Sequence, residues 1–331
     1  MRASLRDLLG RGRVLLSDGA TGTNYFAMGL ESGEPPEFWV SDHPDRVASL
    51  HQRFVDAGAD IILTDTFGCN RHRLKLHRAE HRVAELAAGA ARIARSVADA
   101  APRPVVVAGS VGPTGELFEP LGALTEDAAV EAFAEQIRAL VDGGADVAWV
   151  ETMSAPEEAR AAAKAAIEVG VDYVCTMSFD TAGRTMMGLQ PGALESVFAD
   201  LPVRPLAVGA NCGVGASDIL VSLLEMGGFA LPTVSKGNCG IPRFEGTSIS
   251  YSGTPDLMAR YAAMAVDAGA AIVGGCCGTS PEHLASMHAS LSAHVRGAAP
   301  TVDGIVAEIG PLTNSLPGTS HEGRRSRRRD G

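Results

Sequence analysis

The sequence predicts a (β/α)8 barrel, and three observations carry that reading. Short apolar runs alternate with long Ala-rich amphipathic stretches, and no two apolar runs follow each other directly. Strands that alternate with helices build a parallel sheet. About eight such pairs fill roughly 280 residues, which suits a closed barrel of ~250 residues with insertions. The third observation is a recurring punctuation: Asp56-Ala57-Gly58-Ala59-Asp60, Asp142-Gly143-Gly144-Ala145-Asp146 and the related Asp267-Ala268-Gly269-Ala270. Each stands between a helical stretch and a strand, where glycine supplies the left-handed helix cap. The rival is an open doubly wound sheet. No GxGxxG follows the first strand and no phosphate-loop pattern occurs, which disfavours it.

The elements follow in order. The first strand is predicted over 14–17, followed by the glycine-rich D-G-A-T-G-T-N and a long loop. A helix over 45–57 leads to a strand at 61–64, then a helical stretch over 71–100. The strand at 105–109 precedes the helix 126–142, and the strand at 147–150 precedes the helix 156–169. A strand at 173–177 pairs with a weaker helix near 194–200. The last three pairs are 206–210 with 217–225, 232–236 with 255–267, and 271–274 with 281–295. The pattern stops from Pro300. We therefore divide the chain into a barrel over 1–298 and an extension over 299–331, whose Pro-, Gly-, Ser- and Arg-rich end reads as a disordered tail.

Composition narrows the function. The net charge is −11, although five arginines crowd the last eight residues, so the body is more acidic still. An acidic body excludes a broad nucleic-acid surface. Aromatic residues make up only 5% against 38 glycines, which favours close helix–sheet packing over an aromatic-filled sandwich. No apolar run reaches the ~18 residues of a membrane span. Charges interrupt any apolar segment near the N-terminus, so we expect a cytoplasmic protein. The six cysteines are too few for a disulfide scaffold and are expected to be thiols.

In a barrel of this type the chemistry gathers at the carboxyl ends of the strands. Those ends carry Asp18 to Thr23, Asp65 to Asn70, Gly109 to Pro113, Glu151-Thr152, Ser178 to Asp180, Asn211-Cys212, Lys236 with Asn238-Cys239, and Cys276-Cys277. The adjacent cysteines stand out. Neighbouring strand residues point to opposite faces, so two such thiols share a centre only where the chain turns. Gly274, Gly275 and Gly278 permit the turn. Cys212 ends the sixth strand and supplies a third thiol. Three thiolates with one open position suit Zn2+ rather than Mg2+ or Ca2+. Inert core cysteines and redox cysteines are the alternatives. No histidine falls at a predicted strand end, and all nine read as packing or surface residues.

The stretches DGATGT (18–23), TDTFGCN (64–70), AGSVGPTG (108–115), ET (151–152), NC (211–212) and GGCCGT (274–279) resemble the zinc-dependent homocysteine S-methyltransferases. That family includes the betaine and S-methylmethionine enzymes and the homocysteine-binding module of cobalamin-dependent methionine synthase. The resemblance runs over roughly residues 10–297, and the pairing of NC with GGCCGT is its most specific part.

The resemblance implies that Cys212, Cys276 and Cys277 hold Zn2+ and that the homocysteine sulfur takes the fourth position. It implies that Glu151 binds the substrate ammonium and that the amides of Ala20 and Thr21 hold the carboxylate. Asp18 is expected to orient the first loop, and Asn211 to orient the site through hydrogen bonds. The methyl donor stays open: betaine, S-methylmethionine or another sulfonium, or a methyl-corrinoid partner protein. Gly68 and Thr152 stand where betaine enzymes carry tyrosines, so we expect betaine to be a poor donor. Trp39 either lines the mouth or covers the rim. No cobalamin or folate module, and no long C-terminal extension of the betaine type, is expected. Cys239 replaces a small residue or stands near the metal; Cys69 and Cys175 read as packing. Two other functions stand beside this one: a Schiff-base lyase using Lys236, and a non-catalytic partner subunit with a structural zinc.

Overall fold

The computed structural model describes residues 2–240, 242–245 and 248–313. Its strands are β1 (Leu15–Leu16), β2 (Ile61–Leu63), β3 (Val106–Val111), β4 (Val147–Met153), β5 (Tyr173–Met177), β6 (Ala207–Cys212), β7 (Thr233–Gly237), the hairpin β8 (Pro242–Glu245) and β9 (Ser248–Tyr251), and β10 (Ile272–Gly275). Eight of them form one sheet in the order β1-β10-β7-β6-β5-β4-β3-β2, every neighbouring pair parallel. A parallel bridge from Ser17 to Ile61 joins the first strand to β2 and closes the barrel.

Both faces of these strands are covered, which is why they read as continuous apolar runs. Alternate residues fill the inside: Ile61 and Leu63, Val106 and Ala108, Val147 and Trp149, each buried in one cluster. Leu5 and Leu8 of the helix Leu5–Leu9 join that cluster and plug the amino-terminal end. The other face packs against alanine-rich helices. In Val83–Ala100 and Pro156–Val169 the inward positions are mostly alanine, which brings each helix close to the sheet.

The punctuation does two jobs. Gly58, Gly144 and Gly269 adopt φ between 105° and 109°, the left-handed caps expected of them. The aspartates that close the first two motifs are also staples. Asp60 accepts from the Leu16 amide and from Arg13, and Asp146 accepts from the Val107 amide and from Arg95. Each ties its own strand to the preceding one at the bottom of the barrel.

Several elements differ from the sequence reading. The stretch 71–100 is not one helix. It breaks into Arg71–Leu74, the 3-10 turns Lys75–His77 and Glu80–Arg82, and Val83–Ala100, with Arg78 in the left-handed region at φ 57°. The weak helix near 194–200 is a 3-10 segment, Pro191–Phe198. The β8–β9 hairpin has no counterpart in the predicted elements. Order also continues past Pro300: the helix Val302–Glu308 docks beside Ala216–Glu225, where Ser217 Oγ donates to the Gly310 carbonyl. The arginine cluster lies outside the described residues. No described helix is long and apolar enough to cross a membrane.

Candidate active site

The carboxyl ends of β6 and β10 bring three thiols together. Gly275 ends its strand against Thr279, whose side chain a Cβ would meet at 2.3 Å, and Gly278 takes φ 82°. Only glycine fits that reversal, and it carries Cys276 and Cys277 to one side. The Cys277 amide donates to Asn238 Oδ1 at 3.1 Å, and the Cys276 amide to the Gly237 carbonyl at 2.8 Å. Across from them Cys212 sits at φ 61°, a strained conformation for a non-glycine residue. The three sulfurs lie within 4.8 Å of one another, and Cys212 and Cys277 are 3.9 Å apart. Tetrahedral zinc with bonds of ~2.3 Å separates its sulfurs by about 3.8 Å, so the donor set and spacing fit that ion. Among the described residues this is the one such group of potential ligands.

Three thiols this close cannot ionise alike. Hydrogen bonds from Cys212 and Cys276 pull Cys277 down to about 3. Hydrogen bonding from Cys212 pulls Cys276 down, but Cys277 and burial outweigh it and push Cys276 up to about 12.

The sulfurs open onto a cavity of about 670 Å³ at the mouth of the barrel. Glu151 and Lys236 line it too. Glu151 is 8% exposed, and its Oε1 accepts from Ser110 Oγ at 2.6 Å. Burial raises its carboxyl to about 7, against the pull of Lys236. Lys236 is 2% exposed; its Nζ donates to Asp18 Oδ1 at 3.0 Å and lies 5.7 Å from the Trp149 ring centre. Burial pulls the lysine down, but the charges of Asp18 and Glu151 outweigh it and hold the amine protonated. Asp18 Oδ2 accepts from the Leu63 amide at 2.7 Å.

Cys212, Cys276, Cys277, Glu151, Ala20 and Thr21 thus share one cavity. Asp18 and Asn211 stand behind it. Asn211 Oδ1 accepts from the Thr152 amide and Thr176 Oγ1, and its Nδ2 donates to Thr152 Oγ1. The Ala20 amide is already bonded to the Thr279 carbonyl at 3.1 Å, so of the two amides named for a carboxylate only that of Thr21 is left to the cavity. Cys239 is buried and outside the sulfur group, packed where Gly253 leaves room: a Cβ there would meet its sulfur at 2.6 Å. Cys69 and Cys175 are buried. Trp39 is buried against Tyr25, ring centres 4.9 Å apart, and covers the rim without lining the cavity.

The sequence placed Ser110 and Asn238 at strand ends without giving them a role, and it did not point to Tyr251. Tyr251 lines the cavity from the end of the unpredicted hairpin, and its hydroxyl helps to hold Cys277 down. Phe26 and Phe67 also bring rings to this cavity, from positions other than the two lost tyrosines.

The fold and site define an α/β barrel with an open three-thiol centre at its catalytic end. The homocysteine S-methyltransferase family profile matches residues 15–291, and the chain belongs to that family. It is 32% identical over 308 residues to methionine synthase of Mycobacterium tuberculosis, covering 87% of this chain and 25% of that protein. It is 30% identical over 299 residues to methionine synthase of Mycobacterium leprae, covering 85% and 24%. The chain therefore spans about a quarter of the length of these relatives. Among solved structures it resembles the metallated form of the homocysteine methyltransferase MmuM of Escherichia coli, with TM-score 0.73 and 23% identity over 86% of this chain and 99% of that one. A methyltransferase from Methanosarcina mazei shares the fold at TM-score 0.52 and 13% identity, covering 85% of this chain and 94% of that one.

Proposed function

We propose that this chain transfers a methyl group to the thiol of L-homocysteine and releases L-methionine. The observation that carries the reading is the three-thiol cluster opening onto the same cavity as a buried carboxylate, Glu151. Cys212, Cys276 and Cys277 would hold Zn2+, which when bound deprotonates a coordinated thiol and keeps it nucleophilic at neutral pH. Glu151 receives the substrate ammonium, steadied by Ser110. Lys236 is committed to Asp18, which leaves Glu151 for the ligand. Thr21 faces the carboxylate. Asn211 and Asn238 hold the backbone around the sulfurs. The homocysteine sulfur attacks the methyl carbon of the donor. A new C–S bond forms, and the bond to the leaving group breaks with its electron pair staying on that group.

The geometry of Lys236 argues against a Schiff-base lyase. A buried amine held protonated by Asp18 has no lone pair to offer a carbonyl. A purely structural zinc would have no use for a cavity beside its thiols. The donor is a sulfonium compound or a methyl-corrinoid protein, with betaine the weakest of the panel.

The test supplies homocysteine with betaine, S-methylmethionine, S-adenosylmethionine, dimethylsulfoniopropionate, methylcobalamin or a methylated corrinoid protein. We expect about one zinc per chain, methionine from at least one donor, and loss of both zinc and turnover in Cys276→Ser. Full activity after complete chelation, or no methionine from any donor, overturns the reading.

A further inference from the structure

Cys212, Cys276 and Cys277 all line the cavity at the mouth of the barrel. On the methyl-transfer reading above, an electrophile that enters it meets three ligand thiolates as well as the thiolate of the substrate. All four are nucleophiles of one kind. A methylated cysteine is an uncharged thioether, whereas a zinc site of this type is built on thiolates. The site must therefore send the methyl group to one sulfur and spare the others.

Tyr251 bears on that choice. It ends the hairpin strand β9 and faces the same cavity. Its side chain packs on Gly278, where a Cβ would meet Tyr251 Cγ at 2.4 Å and Cβ at 2.6 Å. Glycine at 278 thus serves the reversal at φ 82° and also leaves room for the tyrosine. Backbone bonds hold the two segments together through Cys239. The Gly253 amide, two residues past Tyr251, donates to the Cys239 carbonyl at 3.0 Å, and the Cys239 amide donates to the Cys277 carbonyl at 2.9 Å. The Tyr251 side chain makes its hydrogen bond with Cys277, while Cys212 and Cys276 act on it through charge alone. A phenol is an O–H donor at neutral pH, so the hydroxyl donates and the sulfur accepts. Cys276 has a longer contact of its own, from Asn211 Nδ2 at 3.9 Å, and that amide also donates to Thr152 Oγ1. A hydrogen bond withdraws charge from a thiolate and lowers its basicity, and nucleophilicity falls with basicity.

We propose that Tyr251 is a positioning residue for methyl transfer: its hydroxyl, bonded to Cys277, makes that ligand a poorer nucleophile and leaves the methyl group to the substrate sulfur. The destination of the methyl rests on the methyl-transfer reading; the effect on Cys277 is tested without it.

The experiment treats the whole zinc-loaded protein, without homocysteine, with methyl iodide, and maps methylation of each cysteine by mass spectrometry. In the probe reaction a thiolate attacks the methyl carbon, a C–S bond forms, and iodide leaves with the electron pair of the broken C–I bond. Tyr251→Phe keeps the ring on Gly278 and removes only the hydroxyl. A hydrogen bond to a charged group changes basicity by about 10- to 150-fold, and a Brønsted slope of ~0.4–0.5 turns that into about three- to tenfold in rate. We expect the rate at Cys277 relative to Cys212 to rise by that factor in Tyr251→Phe. The second measurement replaces zinc by Co2+. The sulfur-to-cobalt charge-transfer band should move to longer wavelength in Tyr251→Phe, because a sulfur that loses a hydrogen bond gives up its electrons at lower energy. An equal Cys277-to-Cys212 ratio in parent and variant overturns the proposal, and so does an unmoved cobalt band. A ratio that rises only in Tyr251→Ala, which removes the ring as well, shows steric cover in place of the hydrogen bond and also overturns it. A raised ratio in a protein that makes no methionine from any donor leaves the effect on Cys277 standing and removes the methyl-transfer reading instead.

Discussion

Replacing Glu151 by glutamine separates recognition of the amino acid from assembly of the thiol centre. Among the described residues the carboxylate has one hydrogen-bond donor, Ser110 Oγ at 2.6 Å, and no ion pair, so it is poised for an incoming ammonium. A charge-assisted hydrogen bond contributes ~1.5–3 kcal/mol, or about 10- to 150-fold in affinity. Homocysteine binding to Glu151→Gln should fall by that factor at pH 8, with zinc content unchanged. The carboxyl titrates at about 7 because it is buried. In the parent protein it is ionised at pH 8 and about nine-tenths protonated at pH 6, so affinity should drop roughly tenfold between these values on this account alone. The variant should lack that component and keep only the titration of the ligand thiol. Stability should move the other way. A carboxyl raised from 4.5 to about 7 on folding penalises the folded state, and the penalty grows from pH 4.5 to pH 7 and is complete above it. Removing the charge should therefore stabilise the protein at pH 8, by about 3 kcal/mol at most. Calorimetric titration and urea unfolding at pH 6 and pH 8 measure both effects. A variant that binds homocysteine like the parent at pH 8 refutes the assignment.

Two further outcomes follow from buried charge. His51 is 2% exposed, and burial lowers its imidazole to about 4, so the unfolded chain binds the extra proton between pH 6.5 and pH 4. Stability should be complete above pH 6.5 and fall by about 3 kcal/mol as the pH drops through that window, while His51→Leu should flatten the decline in urea titrations. Lys236→Met should cost about 3–5 kcal/mol by leaving Asp18 buried and unpaired, and adding Asp18→Asn should recover most of it. A single variant as stable as the parent would show that the pair does not neutralise the barrel interior.

The barrel was legible because its strands are covered on both faces and its helices repeat at 3.6 residues. Tyr173–Met177 and Pro255–Asp267 match the expected bounds residue for residue. The hairpin ending at Tyr251 was not legible, since each of its strands is only four residues long, too short for a periodic window to register. The stretch 71–100 misled for the opposite reason. Its composition is helical throughout, and the break at Arg78 is imposed by the tertiary turn. At the site, the thiols could be read from glycines and strand ends. Their supports could not: Ser110 and Asn238 are ordinary polar residues until the barrel closes. The amide of Ala20 shows the same limit, because its partner Thr279 is more than 250 positions away in sequence.

The proposed ammonium and sulfur sites are built on different strands, and one side chain sets the relation between them. Thr152 and Cys212 each adopt φ 61°, one directly after Glu151 and the other directly after Asn211. The pairing of β4 with β5 slips between Val150 and Met153, where Glu151 and Thr152 lie. Strain of this kind costs ~1–3 kcal/mol at each residue and persists only where neighbours over-determine it. Asn211 does so at Thr152, holding its amide at 2.8 Å and its hydroxyl at 2.7 Å, while its own backbone leads straight into Cys212. Each bond contributes ~1 kcal/mol, enough together to offset the strain at Thr152. The separation of carboxylate and thiol is therefore a property of the Asn211 amide. Homocysteine carries its ammonium and thiol three carbons apart, so a site whose two ends are fixed against each other can tell it from cysteine, which is one carbon shorter, without any contact to the carbon chain.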